Sequence, residues 1–321
     1  MDGVIVVDKP SGWTSHDVVA KVKRTLRAKK VGHLGTLDPA ATGVLPLVVN
    51  GATKFARFLD IGGKGYAAIM KLGEETDTQD AEGEVVKTSE VGIIERAEIE
   101  KALGSFVGAI EQTPPMYSSV KQGGVPLYKL ARKGVTVERA AKEVEIHSIT
   151  VSSVELPYVE YSVECSRGTY IRTLSVDAGA KLGVGAHLHR LRRTRSGTFT
   201  EVEAVDAQGS KESLEAALIP LEAALVRSSA LMKGIELDDG AASKVARGPF
   251  RVETEECFKP GEVARLMHGD VVLAFAEFVG IDSASGPTGQ SEFNVVKVLF
   301  GGAVRSVAGE SVRKSGRASG A

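Results

Sequence analysis

Hydrophobic positions along the chain fall into short runs with clear punctuation. Residues 4–7, Val-Ile-Val-Val, are continuously apolar and are followed by Pro-Ser-Gly at 10–12, which predicts a buried strand and a turn. The period then changes. Val18, Val19, Val22 and Leu26 recur at helical spacing, with Ser15 placed to cap the helix. Residues 44–49 predict a second buried strand, Asn50-Gly51 a turn, and 52–59 a short amphipathic helix. Two strands joined by an acidic loop are expected over 66–87, a helix over 95–108, and alternating strands over 144–156 and 158–166. A further helix is predicted over 168–183.

Two regions depart from this rhythm. Residues 112–146 mix Pro-Pro, Gly-Gly, aromatics and Lys/Arg, the texture of an excursion from a core. After residue 228 short apolar runs alternate with Gly/Asp turns, which predicts a small β-rich domain. The Ser/Gly-rich stretch 282–292 and the tail from 309 are expected to be mobile. The layout is therefore a large domain over 1–228, a small one over 229–308 and a disordered tail over 309–321. No internal repeat is present.

Composition narrows the class. Of 321 residues, 43% are hydrophobic and 25% charged, enough apolar material for a substantial core. No apolar run approaches the roughly 20 residues that span a bilayer, and the first residues lack the basic and apolar segments of a signal peptide. A cytoplasmic chain is expected. Cys165 and Cys257, far apart, suggest neither a zinc site nor a disulfide framework; both are expected to be buried thiols. The formal charge is −1, but it is unevenly spread. Residues 1–60, 61–112, 113–200 and 201–321 carry net charges of +4, −6, +6 and −5. That pattern suits a localised basic face, and equally a chance distribution over solvated surfaces.

Candidate chemistry centres on residues 30–49, KVGHLGTLDPAATGVLPLVV, whose single carboxylate is Asp38. An Asp-Pro pair commonly caps a helix, but here Gly43 and a strand-like run leave room for only three helical residues. The glycines suggest a backbone that something approaches closely. An acid used for chemistry needs a charge partner, and SRGTYIRTL at 166–174 offers Tyr170 and Arg172. Those two face one side only on a strand. Tyr66 reads as a strand aromatic or as a stacking platform. Other site motifs are lacking: there is no dinucleotide fingerprint, P-loop, His-Glu-x-x-His or nucleophile elbow. The acidic loop near residue 80 fails as an EF-hand, since Thr78 and Ser89 would occupy ligand positions, and it reads as a solvated turn.

Five blocks in order and spacing resemble the TruB family, the bacterial tRNA pseudouridine-55 synthases. They are GVIVVDKPSGWTSHDVVAKVKR, KVGHLGTLDPAATGVLPLVVNGATKFARFL, YAAIMKLGEETDTQDAEGEVV, PPMYSSVKQGGVPLYKLARKG and CSRGTYIRTL with GAHLHRLRRTRSG. The likeness runs from about residue 3 to 226 and more loosely beyond, where the family carries a small RNA-binding domain of PUA type. It implies an α+β fold: a large mixed, mostly antiparallel sheet with flanking helices and a thumb insertion, plus a small β domain.

The resemblance also implies a reaction and a site. The family isomerises one uridine of the tRNA T loop to pseudouridine without metal or redox cofactor. By resemblance Asp38 is the essential aspartate, Arg172 pairs with it and keeps it ionised, and Tyr66 stacks on the uracil. Tyr170 and Leu191 line the pocket, His33 fills the space vacated by the flipped base, and Lys9-Pro10 support the loop. The excursion corresponds to the thumb, whose Lys121, Lys129, Arg132 and Lys133 suit phosphate contacts, as do Arg190, Arg192 and Arg193. The partner is then the T arm of tRNA. The thumb argues against a guide-RNA-dependent enzyme of the archaeal and eukaryotic branch. A non-catalytic RNA binder on the same scaffold would have no need of Asp38. A monomer is expected.

Overall fold

A computed structural model describes residues 1–298, apart from positions 119, 132, 246–249, 253, 255 and 283–289. Arg132, the Lys121 side chain, most of the 282–292 stretch and the 309–321 tail therefore lie outside the described residues. The chain divides into two units, Met1–Leu221 and Glu222–Ala321, so the division falls ahead of residue 228.

The first unit opens with β1 (Gly3–Lys9), whose Val4, Ile5, Val6 and Val7 are almost wholly buried. An unbroken apolar run is what a strand covered on both faces requires, and each such side chain contributes roughly 1.5–3 kcal/mol. Helix α1 (Ser15–Leu26) buries Val18, Val22 and Leu26 as the spacing predicts, while Val19 is half-buried. Its cap is Thr14, in a capping box with Asp17, and not Ser15. Ser15 is buried and its hydroxyl is already spent: it accepts from the Leu37 amide (2.9 Å) and donates to the Leu37 carbonyl (3.0 Å). Strand β2 (Val31–His33) and strand β3 (Thr42–Val49) follow, with the Asp38 loop between them. No helix starts at Asp38, which removes the cap reading.

Beyond a 3₁₀ turn at Asn50–Phe55 and α2 (Ala56–Leu59) come β4 (Lys64–Leu72) and a small hairpin of β5 (Glu74–Thr76) and β6 (Val85–Thr88). Helix α3 (Arg96–Gly104) precedes β7 (Gly108–Gln112). The excursion then leaves the sheet as a two-stranded hairpin, β8 (Lys121–Gln122) and β9 (Val125–Pro126), and a short α4 (Leu127–Ala131). The chain returns as β10 (Lys142–Glu155), β11 (Tyr158–Cys165), α5 (Ile171–Lys181) and β12 (Ala186–Ser196). Short strands β13 (Phe199–Thr200), β14 (Val205–Asp206) and β15 (Ile219–Pro220), with α6 (Lys211–Ala216), close the unit.

The sheet runs β14-β1-β3-β12-β4-β11-β10-β7. Only the β1–β14 and β3–β12 pairs are parallel, so it is mixed and mostly antiparallel, as expected. The β3–β12 contact is only two residues long, Thr42 opposite Arg192 and Gly43 opposite Arg193. Gly43 takes φ +99°, and a Cβ there would sit 2.2 Å from the Arg193 carbonyl oxygen. Glycine is required at this seam on both counts.

The second unit contains α7 (Leu221–Ser229), β16 (Lys233–Glu236), α8 (Asp239–Ala242), β17 (Phe250–Val252), β18 (Val263–His268), β19 (Val271–Asp282) and β20 (Gln290–Val298). Its sheet is ordered β16-β18-β19-β20-β17, and its core includes Ile235, Leu237, Leu266, Leu273, Phe278 and Phe293. This is the expected small β-rich body. Cys165 is buried in the first unit, but Cys257 is exposed here, contrary to expectation, on a loop whose neighbouring Phe258 is the residue that packs on the core. Among the described residues, no helix is long and apolar enough to cross a membrane.

Gly43→Ala is expected to destabilise the first unit by more than about 1 kcal/mol, because strain at positive φ adds to a backbone clash. Urea unfolding checks this: a midpoint equal to wild type would mean the seam relaxes freely.

Candidate active site

The Asp38 loop has no regular structure, yet nearly every carbonyl in it is held. Arg193, fully buried on β12, donates Nη2 to Gly35 O (3.1 Å), Nη1 to Thr36 O (3.4 Å) and Nε to Val44 O (2.7 Å). Ser15 takes Leu37 O, and the Ala41 amide takes Asp38 O. Lys9, equally buried, donates to Pro39 O (3.0 Å) as well as Pro10 O (2.8 Å) and Trp13 O (2.6 Å). Buried backbone acceptors must be satisfied, and here two cations do it. Burial pushes the Lys9 ammonium down to about 8, with Asp38 opposing. Lys9 thus has the supporting role that the resemblance implied.

The loop presents Asp38 to Arg172. The guanidinium Nε lies 3.1 Å from Asp38 Oδ2, and Nη1 lies 3.5 Å from Asp80 Oδ2. Two carbonyls complete its shell: Nη1 donates to Thr78 O (3.0 Å) and Nη2 to Tyr117 O (2.7 Å). Arg172 is only 5% exposed and occupies the first turn of α5. A cation at a helix N-terminus opposes the dipole, and the two carboxylates offset it. Tyr170 is the extended residue just before the helix, so the question of one helix face for both residues does not arise. Gln112 fixes it there: Gln112 Nε2 donates to Tyr170 O (3.0 Å), and the Tyr170 amide donates to Gln112 Oε1 (2.7 Å).

Asp38, Tyr66, Tyr170, Arg172 and Leu191 line one cavity of about 340 Å³. Part of the Asp38 side chain opens to it, while protein crowds the rest of the carboxylate. Crowding raises the Asp38 pKa from its ordinary value; Arg172 opposes the rise and Asp80 adds to it. The ion pair therefore limits the effect of burial and does not overcome it. Tyr66 is buried, and desolvation pushes its phenol above the ordinary value with Arg193 opposing, so it remains a proton donor through the neutral range. His33 is absent from this cavity. It lines an adjoining cleft on the other side of the loop, shared by Asp38 and Arg172. Its ring lies 6.4 Å from His16, and burial, helped by His16, lowers its pKa.

Two proposed phosphate contacts do not fit. Arg193 is inside the protein and committed to the loop. Arg192 grips Asp8 with both terminal nitrogens (3.0 and 2.9 Å) and Glu201 with Nε, which leaves its charge neutralised. Lys129, Lys133 and Arg190 are exposed. The acidic loop at residue 80 is more than a solvated turn, since Asp80 and Thr78 hold Arg172. Gln112, Lys64 and Arg167 were also unforeseen; only the proximity of Lys64 to Tyr66 in sequence hinted at a role.

Comparison with known proteins places the architecture. Over 92% of this chain and 84% of the other, it matches the solved structure titled a Cbf5-Nop10-Gar1 complex, at TM-score 0.67 and 29% identity. A structure of an H/ACA RNP bound to a substrate RNA containing 2′-deoxyuridine matches at TM-score 0.63 and 28% identity, with the same coverage. The mixed, mostly antiparallel sheet with its helices is that of the pseudouridine synthase fold. Residues 23–171 match the N-terminal domain of the TruB family of pseudouridylate synthases, and 172–226 match the tRNA pseudouridylate synthase B C-terminal domain. The tRNA pseudouridine synthase B of Geobacter sulfurreducens is 46% identical over 285 residues, 86% of this chain and 93% of that one. That of Clostridium tetani is 41% identical over 302 residues, 93% of this chain and all of the other. The chain belongs to the TruB family.

A raised Asp38 pKa means that the folded protein holds this proton more tightly than the unfolded chain. The resulting stabilisation is present in acid and is lost as pH rises through the folded value. Asp38→Asn, which mimics the protonated group and leaves Arg172 with Asp80 and two carbonyls, is therefore expected to melt above wild type at pH 7. The difference should shrink toward pH 4. A variant that melts below wild type at pH 7 would show instead that the ion pair dominates.

Proposed function

We propose that this chain isomerises a uridine in the T loop of tRNA, uridine 55, to pseudouridine, with Asp38 as the catalytic acid residue. The observation that carries this is the convergence of Asp38, Arg172 and Tyr66 on one cavity, in a chain of the TruB family. The reaction breaks C1′–N1, turns the uracil and forms C1′–C5; the C5 proton leaves and N1 gains one. It needs a carboxylate at the sugar and base, a surface to hold the free ring, and a dry pocket. Asp38 supplies the first, Tyr66, Tyr170 and Leu191 the second, and the depth of the cavity the third. The target must leave its stack, at a cost of a few kcal/mol, and the neutral, half-buried ring of His33 is suited to the vacated space.

The excursion between β7 and β10 acts as a thumb on the T arm, with the exposed Lys129 and Lys133 on phosphates and Arg190 of β12 on another. Recognition by the thumb needs no guide RNA, the enzyme works as a monomer in the cytoplasm, and the second unit serves as a PUA-like RNA-binding domain. A non-catalytic binder would have no use for an acid held against its own solvation in this way.

The test is tritium release from a tRNA transcript labelled at C5 of its uridines, with the product mapped by carbodiimide adduct and primer extension. Stoichiometric release from the T-loop uridine, abolished in Asp38→Asn, is expected. Binding without release by wild type would favour the non-catalytic reading. Lys129→Gln should lower the dependence of log Kd on log salt by about one, the slope of one phosphate contact, whereas Arg192→Gln should leave it near wild type.

A further inference from the structure

One side of the active-site cavity carries charge that the isomerisation does not use. Lys64 stands on β4 two residues before Tyr66, so both side chains leave the same face of the strand. It is 7% exposed and lines the cavity with Tyr66. Among the described contacts its ammonium has one acceptor, Asp60 Oδ1, at 3.4 Å, the outer limit of a hydrogen bond.

Other cations gather around it. A methyl group on Gly35 would lie 2.1 Å from Lys64 Nζ and 3.5 Å from Arg193 Nη1, so both charges converge on that glycine. Arg167 is exposed, lines the same cavity and donates to the Asp60 carbonyl. Among the described contacts Asp60 is the carboxylate paired with Lys64, and the charges that chiefly act on Lys64 are Arg193, Asp60 and Arg167, whereas Arg172 and Asp80 chiefly act on Asp38.

A buried ammonium with one long contact is costly, and burial pushes Lys64 down to about 8, with Arg193 adding to the fall. An anion completing the site would reverse that cost. A nucleotide whose base lies against Tyr66 carries such an anion on its own backbone. The surplus of positive charge, the enclosure and the distance of one strand repeat from Tyr66 all suit a phosphodiester.

We propose that Lys64, with Arg167 at the mouth and the field of Arg193 behind it, binds a phosphate flanking the flipped uridine. The inference rests on the isomerase reading of the cavity. Its chemical purpose is to hold the ribose still while the base is detached, so that C1′ meets C5 in place of the N1 it has just released.

The experiment uses T-arm hairpins bearing one neutral methylphosphonate, 5′ or 3′ of the target uridine, with kcat/KM read by tritium release. For wild type, one of the two linkages is expected to cost about tenfold or more, the scale of a lost charge-assisted hydrogen bond. Lys64→Gln should show that loss on natural RNA and no further loss at the neutral linkage; Arg167→Gln should show a smaller version. If wild type is indifferent to both linkages, or Lys64→Gln is as sensitive as wild type, the phosphate site is overturned. If Lys64→Gln does not fold, Arg167→Gln decides by the same criterion. Wild type that releases no tritium from natural RNA would overturn the isomerase reading itself.

Discussion

Two buried cations hold the loop on which everything else in the site depends. Without Lys9 and Arg193, the carbonyls of Gly35, Thr36 and Val44 would lose the side-chain donors that fix them and Pro39 O would keep only the Gly12 amide, each lost bond being worth about 0.5–1.5 kcal/mol. A helix or a strand would satisfy them internally, but neither could present a lone carboxylate at the bend. The loop is irregular and nevertheless fixed. Its fixity comes from the sheet: Lys9 ends β1, and Arg193 sits where β12 meets β3.

The same economy governs the charges. Burial raises the Asp38 pKa, and Arg172, with a smaller contribution from Lys9, draws it back. Arg172 is then shared with Asp80 and with the carbonyls of Thr78 and Tyr117. Tyr117 belongs to the inserted excursion and Thr78 to the hairpin loop. Segments that look peripheral in sequence thereby set the orientation of the arginine. Gln112, at the root of the same insertion, fixes the Tyr170 backbone one turn away. A side chain held at this many points loses little further entropy when substrate arrives.

Much of this was legible in the residues. The apolar runs located β1, β3 and α1, and the glycine-punctuated loop singled out Asp38. The insertion was evident from its composition, and family resemblance supplied Arg172, Tyr66, Tyr170 and Leu191. What escaped were contacts whose partners are distant in sequence. Thr14 and Ser15 are similar caps by propensity, and the reciprocal Asp17 three residues after Thr14, with the loop's demand for the Ser15 hydroxyl, separates them. Arg190, Arg192 and Arg193 look alike in sequence. Strand alternation, two flanking carboxylates and the Gly43 seam give them three different environments: exposed, neutralised and buried. Asp80 was misjudged because its loop was tested only as a cation site, whereas the cation it serves is a guanidinium.

The Asp38–Arg172 pair joins positions more than 130 residues apart, across strands whose sheet order does not follow the chain. Contacts of such separation carry a loop-closure cost that local contacts do not, so the site is assembled only by the sheet that brings its distant segments together. Until β12 takes its place between β3 and β4, the Asp38 loop lacks the Arg193 clamp on its carbonyls.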